Sequence, residues 1–248
     1  MNNPFIHLRS LSSYSLSEST LKITNLIDLA KKNDMPAIAI TDNNNMFGVF
    51  EFSKECVKNN IQPIIGTSIN LLDIIVNNQI SQITFLVKNE IGYRNLLELS
   101  SLSHLNEGNN IGIHLSQLKK FSQGLFCYIG GEFNPLLYLS KQNKLNKIDD
   151  FINLFVEIFL DNFYFELQRI DIPHLDEFES NFIELSQKYN IPLISSNNVK
   201  FEKSNDFNAH DALLCIAQKT TINDENRIFS NPNIFFKSSD DMYELFSD

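Results

Sequence analysis

At 248 residues, with 43% apolar and 20% charged side chains, the chain has the composition of a soluble globular protein and length enough for one large core. No stretch approaches the roughly 18 uninterrupted apolar residues of a membrane helix, and a formal net charge of −10 argues against direct, non-specific DNA binding, because phosphate backbones would be repelled on average. Cys56, Cys127 and Cys215 are far apart and never form a CxxC pair, which argues against a disulfide framework or zinc knuckle and predicts buried thiols.

The opening residues Met1 to Arg9 carry neither a secretory leader pattern nor an Arg/Ser-rich presequence, so a cytoplasmic location is expected. Phe5-Ile6-His7-Leu8 reads as a first strand. Leu21 to Lys32, apolar at Leu21, Ile23, Leu26, Ile27, Leu29 and Ala30, reads as a helix behind a Ser19/Thr20 cap. Ala37 to Thr41 reads as a buried strand and Phe47 to Asn59 as the next helix. Further strands are predicted over 61–69, 83–87, 125–129, 164–167 and 193–196, and helices near 90–104, 134–159, 174–189 and 206–218. The last of these helices is expected to be capped by Asp206 and to pack through Ala209, Leu213, Leu214, Ile216 and Ala217. Asn-rich patches at 43–45, 77–78 and 109–110 read as loops.

Alternation of helices with continuous apolar strands predicts an α/β fold with a mostly parallel sheet buried on both faces. Seven strands over this length favour a closed or nearly closed barrel. In such barrels function sits at the carboxyl ends of the strands. Chemistry is therefore sought at 9–13, 42–45, 67–70, 130–134 and 197–200.

Several residues invite a functional reading that a structural one outweighs. His7, inside the first strand with apolar neighbours, reads as a core residue, and His210 as a helix-packing residue. His104, His114 and His174 fall at loops or helix edges and read as surface positions. Asp149/Asp150 and Asp240/Asp241 resemble two-metal carboxylates only superficially, since adjacent helix residues point about 100° apart and acids favour helix starts. Gly130-Gly131 lacks the context of a phosphate cradle, and no GxSxG elbow is present.

Seven blocks in chain order resemble one family. They are Phe5–Arg9 with Tyr14-Ser15-Leu16, Met35–Asp42 with Asn45–Gly48, Pro63–Gly66, Gly92–Leu96, Asn197–Phe201, Ala209–Asp211 with Leu213–Ile216, and Met242–Phe246. Together they resemble the PHP (polymerase and histidinol phosphatase) family, in the branch found at the amino terminus of bacterial DNA polymerase III alpha subunits. The resemblance covers nearly the whole chain and implies a single PHP domain over 1–248 with a distorted (β/α)7 barrel.

Metal-binding members of that family hold up to three ions (zinc, manganese or magnesium) in a nine-ligand cage. Carried over, the cage positions fall at Arg9, Leu11, Glu18, Asn43, Ser68, Gln82, Gly131, Asn198 and Lys200, with His7 and Asp42 as cleft neighbours. Glu18 alone is a good ligand, two positions are cations, and Leu11 and Gly131 offer no side-chain donor. The resemblance therefore implies a vestigial site with no catalytic or metal-binding residue and no cofactor in this domain, although the parent polymerase uses magnesium. Two readings of the cations stand side by side: Arg9 and Lys200 replace the lost ions by pairing with acids such as Asp42 and Glu18, or a dead site has simply drifted. The implied role is a non-catalytic scaffold that braces the rest of the polymerase chain and docks the proofreading exonuclease subunit. The rival expectation is a residual metal-dependent phosphoesterase, acting as a pyrophosphatase or 3′–5′ exonuclease.

Overall fold

The computed structural model describes residues 4–76, 79–106, 110–141 and 145–248. In chain order the elements are α1 (Ile23–Lys32), β1 (Ala37–Ile40), α2 (Val49–Lys58), β2 (Gln62–Val76), β3 (Gln79–Val87), α3 (Glu90–Ser103), α4 (Leu115–Phe121), β4 (Leu125–Gly130), α5 (Pro135–Lys141), α6 (Leu145–Phe159), β5 (Phe163–Gln168), α7 (Pro173–Tyr189), β6 (Leu193–Ser196), α8 (Phe207–Gln218) and α9 (Ser239–Leu245). The strands form one curled sheet in the order β1-β2-β3-β4-β5-β6. Three of its pairings, β1–β2, β4–β5 and β5–β6, are parallel, whereas β3 runs antiparallel to both neighbours. No helix lies between β2 and β3 to carry the chain back across the sheet, so the two pair as a hairpin.

The expected first strand does not join this sheet as a ladder. Its backbone instead bridges the two edges: Ala39 and Thr41 donate to the carbonyls of His7 and Ser10, while Leu11 donates to Val199 and Val199 to Arg9. Residues 7–11 thereby draw the β1 edge toward the chain leaving β6, and a six-stranded half-barrel takes the place of seven equal strands. The two edges lose their exposed polar backbone to this segment.

Period-2 alternation divides each strand between two environments. Ile38 and Ile40, Phe85, Cys127 and Ile129, and Phe163 and Phe165 face the helices and form the main core with α1, α2, α3, α6 and α7. The opposite faces point inward. There, Leu8, Ala39, Ile64, Leu86, Phe126, Tyr128, Tyr164 and Ile194 make a small apolar plug, and the Tyr128 hydroxyl crosses it to donate to the carbonyl of Leu8 at 2.7 Å. Further along the same faces come Thr84, Gln82, Glu166, Gln168 and Ser196. The interior thus turns from apolar to polar toward the carboxyl ends of the parallel strands.

Several helix expectations need correction. The helix expected over 134–159 is two, α5 and α6. Asp206 stands at the N-cap position of α8 as expected, but its carboxylate accepts from the Lys203 amide of the preceding turn and makes no bond to the helix, whereas α1 has Lys22 at its cap position and the Ser19 hydroxyl donates to the carbonyls of Leu11 and Lys200. In α8 the buried residues are His210, Asp211 and Cys215; of the expected packing residues Leu213 and Leu214 are half-buried, while Ala209, Ala217 and Ile216, the last 73% exposed, face out. The three cysteines are buried as expected. The loops at 43–45 and 110 are found; Asn77, Asn78 and Asn109 lie outside the described residues. Among the described residues no helix is long and apolar enough to cross a membrane.

Candidate functional site

The polar end of the barrel interior is a connected hydrogen-bond network. At its centre lies Arg9, 6% exposed, placed there by the bridging segment. Its Nη1 donates to Glu166 Oε2 at 2.7 Å and its Nη2 to Gln82 Oε1 at 3.0 Å. Gln82 Nε2 donates to Asn43 Oδ1 at 3.1 Å, and Asn43 Nδ2 donates to the Glu18 carboxylate. On the other side the Ser196 hydroxyl donates to Glu166 Oε1 and receives a bond from Gln168 Nε2 at 3.3 Å. Three strands and three loops therefore converge on one buried ion pair, which satisfies the demand that a charge removed from water be paired and hydrogen-bonded.

The register explains why Glu166 is available. Tyr164, Glu166 and Gln168 share one face of β5, and Glu166 sits opposite Gly130 on β4. A side chain on Gly130 would meet the Glu166 carbonyl at 2.2 Å, so glycine is what allows the two strands their close approach. Gly131, with φ of +68°, packs against the Gln168 amide in the same manner.

Of the nine positions carried over from the family, Arg9, Glu18, Asn43 and Gln82 are brought together directly. Ser68 is tied in beside them: its backbone bridges Asn43 and its hydroxyl bonds that of Thr84 at 2.9 Å. Gly131 touches Gln168, and Leu11 is buried under the Val199 carbonyl. Asn198 takes a left-handed turn with φ of +49° next to Val199. Lys200 is half-buried in the cleft. Burial pulls its pKa below the ordinary lysine value, Glu18 and Glu132 oppose that, and Arg9 adds to it.

The expected partners of the two cations need correction. Arg9 pairs with Glu166, and not with Asp42. The Asp42 carboxylate is occupied by the loop after the first segment, accepting from the Ser12 amide at 2.7 Å, the Ser12 hydroxyl at 2.7 Å and the Ser15 hydroxyl at 2.6 Å. Burial raises its pKa and those serine donors pull it back. Lys200 has no carboxylate within 4 Å among the described residues, although Glu18 and Glu132 act on it at longer range.

His7 lies apart from the network. Fully buried between Phe5 and Phe236, it donates from Nε2 to the Lys237 carbonyl at 2.9 Å, and burial pushes its pKa down to about 4. His210 bonds the Glu18 carbonyl and Ser230. His104 and His114 are exposed and His174 is half-buried. Sequence reading missed Glu166 and Glu132. A glutamate within an otherwise apolar parallel strand was a visible signal for Glu166, because such a strand has no solvent face to send it to.

Among the described residues no three His, Cys, Asp or Glu side chains cluster in the way a metal site requires. The network offers amides, hydroxyls, a guanidinium and two carboxylates, bonded to one another as described, while Gln168 Oε1 and Arg9 Nε are buried without a hydrogen-bond partner.

Residues 7–170 match the PHP domain family. The DNA polymerase III subunit alpha of Rickettsia bellii is 37% identical over the whole of this chain and that of Rickettsia prowazekii 38%; this chain spans 21% of the length of each. The same subunit of Borreliella burgdorferi is 36% identical over 98% of the chain, which is 22% of that relative. Among solved structures, a protein from Bifidobacterium adolescentis assigned as a metal-dependent phosphoesterase superposes with a TM-score of 0.52 at 10% identity, covering 98% of both chains. A two-domain Bacteroides vulgatus protein that contains a predicted PHP-like metal-dependent phosphoesterase gives 0.50 at 11%, covering 79% of this chain and 51% of that one. At such identity these structures speak for the fold alone.

Proposed function

The chain belongs to the PHP family, and from that membership we propose that it is the PHP domain of a cytoplasmic, replicative DNA polymerase III alpha subunit, in which a buried ion pair fills a cleft that relatives fill with metal. Support for the parent comes from the identity of 36–38% to alpha subunits along essentially the full chain. Support for the loss of metal comes from the Arg9–Glu166 pair. Divalent ions bound by N and O ligands need several anionic or neutral lone-pair donors. The cleft brings two cations, and its carboxylates are bonded to neighbouring side chains with the neutral Gln168 Oε1 alone left buried and unpartnered in the network, so the residues present do not fit the family's ions.

On this reading the domain is a scaffold. It braces the rest of the polymerase chain and docks the proofreading exonuclease subunit, a protein partner being better matched than DNA to a net charge of −10. The rival is residual phosphoester hydrolysis of the kind the names of the solved relatives carry. Two assays on the purified chain separate them. Pyrophosphate and nitrophenyl phosphate should show no turnover above buffer with added Mn²⁺ or Zn²⁺, and calorimetry should detect binding of the exonuclease subunit. Metal-dependent turnover abolished by Glu18→Gln would establish the rival, and absence of binding would remove the docking role.

A further inference from the structure

The α8 helix and the loop after it present an apolar face that nothing among the described residues covers. Ile216 on the helix and Ile222, Ile228 and Phe229 on the loop are 73%, 56%, 66% and 55% exposed, and Leu213 is half-buried. A helix this apolar on its outward side is ordinarily packed against something. Isolated exposed apolar residues need no explanation, but a contiguous group does.

Polar bonds tie the loop that carries Ile222, Ile228 and Phe229 to the helix that carries Ile216. Arg227 forks onto Asp211 of α8 with two bonds of 2.7 Å. The Gln218 side chain holds both the amide and the carbonyl of Ile228, at 2.6 and 3.0 Å. Thr220 is tied to Asp224 at 2.7 Å. Arg227 and Asp211 spend themselves on positioning this loop, and the loop turns its apolar side chains to solvent. A fixed, outward apolar surface is preorganised for a partner, since little conformational freedom remains to be lost on covering it.

The position of the last residues argues for which partner. Asn231 and Asn233, where the loop returns, bond Ile170 and Asp171 just beyond β5. Arg169, next to them, holds the carbonyl of Leu245 and the carboxylate of Asp248. The end of α9 therefore sits on the same short stretch, 169–171, that anchors the exposed loop. Relatives matched along this whole chain are about five times as long, since it spans 21% of them. We propose that the α8 face and the 219–229 loop are covered by the part of the longer chain that follows Asp248, making this surface the seam between the domain and the rest of the polymerase. The proposal rests on the reading of the chain as one domain of an alpha subunit.

The test is thiol labelling in the native full-length gene product. Ile228→Cys and Leu160→Cys are made separately; the two side chains are 66% and 70% exposed in this domain, and the three native cysteines are buried. Maleimide incorporation is read by mass spectrometry of the peptides. A seam makes position 228 react at least roughly ten-fold more slowly than position 160, at any protein concentration, with the difference vanishing in denaturant. Equal rates overturn the proposal. So does protection that appears only on adding the exonuclease subunit, or only as protein concentration rises, because either assigns the face to another occupant. Intact mass of the same sample reads the parent's length, so failure of the domain reading is seen separately from failure of the seam.

Discussion

Replacing Glu166 with Gln removes one charge from the centre of the barrel while keeping the side chain's size and one oxygen for Arg9, its amide nitrogen then facing the Ser196 hydroxyl, which can accept. The guanidinium, 6% exposed, is then left without a counter-charge. Breaking a buried pair from one side costs about 3–5 kcal/mol. Gln82 still accepts from Nη2, which places the expected cost at the lower end of that range. For a chain of this size, roughly 2–4 °C per kcal/mol converts a cost of about 3 kcal/mol into a fall in melting temperature of about 6–12 °C. Urea denaturation of the wild type, Glu166→Gln, Arg9→Met and the double variant measures it. Arg9→Met strands the carboxylate and should cost a similar amount, whereas the double variant strands neither charge. The sum of the single losses should therefore exceed the double's loss by about 2–3 kcal/mol. A Glu166→Gln variant within about 1 kcal/mol of wild type, or a coupling near zero, would refute the claim that this pair holds the cleft.

Other expectations follow from the same interior. The buried His7, with its pKa pushed down to about 4, binds fewer protons folded than unfolded between about pH 4 and 6.5, so the stability it permits at neutral pH drains away as pH falls through that window. The loss is up to about 3 kcal/mol, and His7→Gln should flatten the urea midpoint between pH 6.5 and 4; an unchanged slope would contradict it. Lys237, 8% exposed and held by the Asn197 side chain and the Asn233 carbonyl, has its pKa lowered by burial to about 8. The unfolded chain then binds more protons between about pH 8 and 10.5, so this residue's penalty is complete below pH 8 and relieved as pH rises. Relative to wild type, Lys237→Met should therefore lose ground between pH 7.5 and 10, and a constant difference would count against the burial. Gly130→Ala places a methyl group 2.2 Å from the Glu166 carbonyl and should cost about 1–3 kcal/mol by forcing β4 and β5 apart; a neutral result would mean the strands are not so close.

Strand and helix types were legible where apolar periodicity is strong, as in α1, α2, α3 and α7 and in the strands 125–130 and 163–168. Direction within the sheet was not, because β3 reads like any buried strand until the absence of a crossover helix before it is noticed. In α8 the pattern misled for a physical reason: an apolar stripe says that a face will be buried but not by what, and within this chain the buried face belongs to His210, Asp211 and Cys215. The cation at position 9 was visible in the sequence, yet its partner lies 157 residues away, and only the register of β5 brings Glu166 inward. Asp42 was the nearer candidate by sequence. Serines at 12 and 15, unremarkable as residue types, had already taken its carboxylate.

Manganese titration of the purified chain tests the substitution of an ion pair for metal most directly. After exhaustive chelation, Mn²⁺ is added stepwise and free ion is read by electron paramagnetic resonance, with Glu166→Gln in parallel. The account predicts that free Mn²⁺ tracks total Mn²⁺ in both proteins, with no stoichiometric uptake, because Arg9 keeps positive charge in the cleft whether or not its partner is present. One or more tightly bound ions per wild-type chain would contradict it.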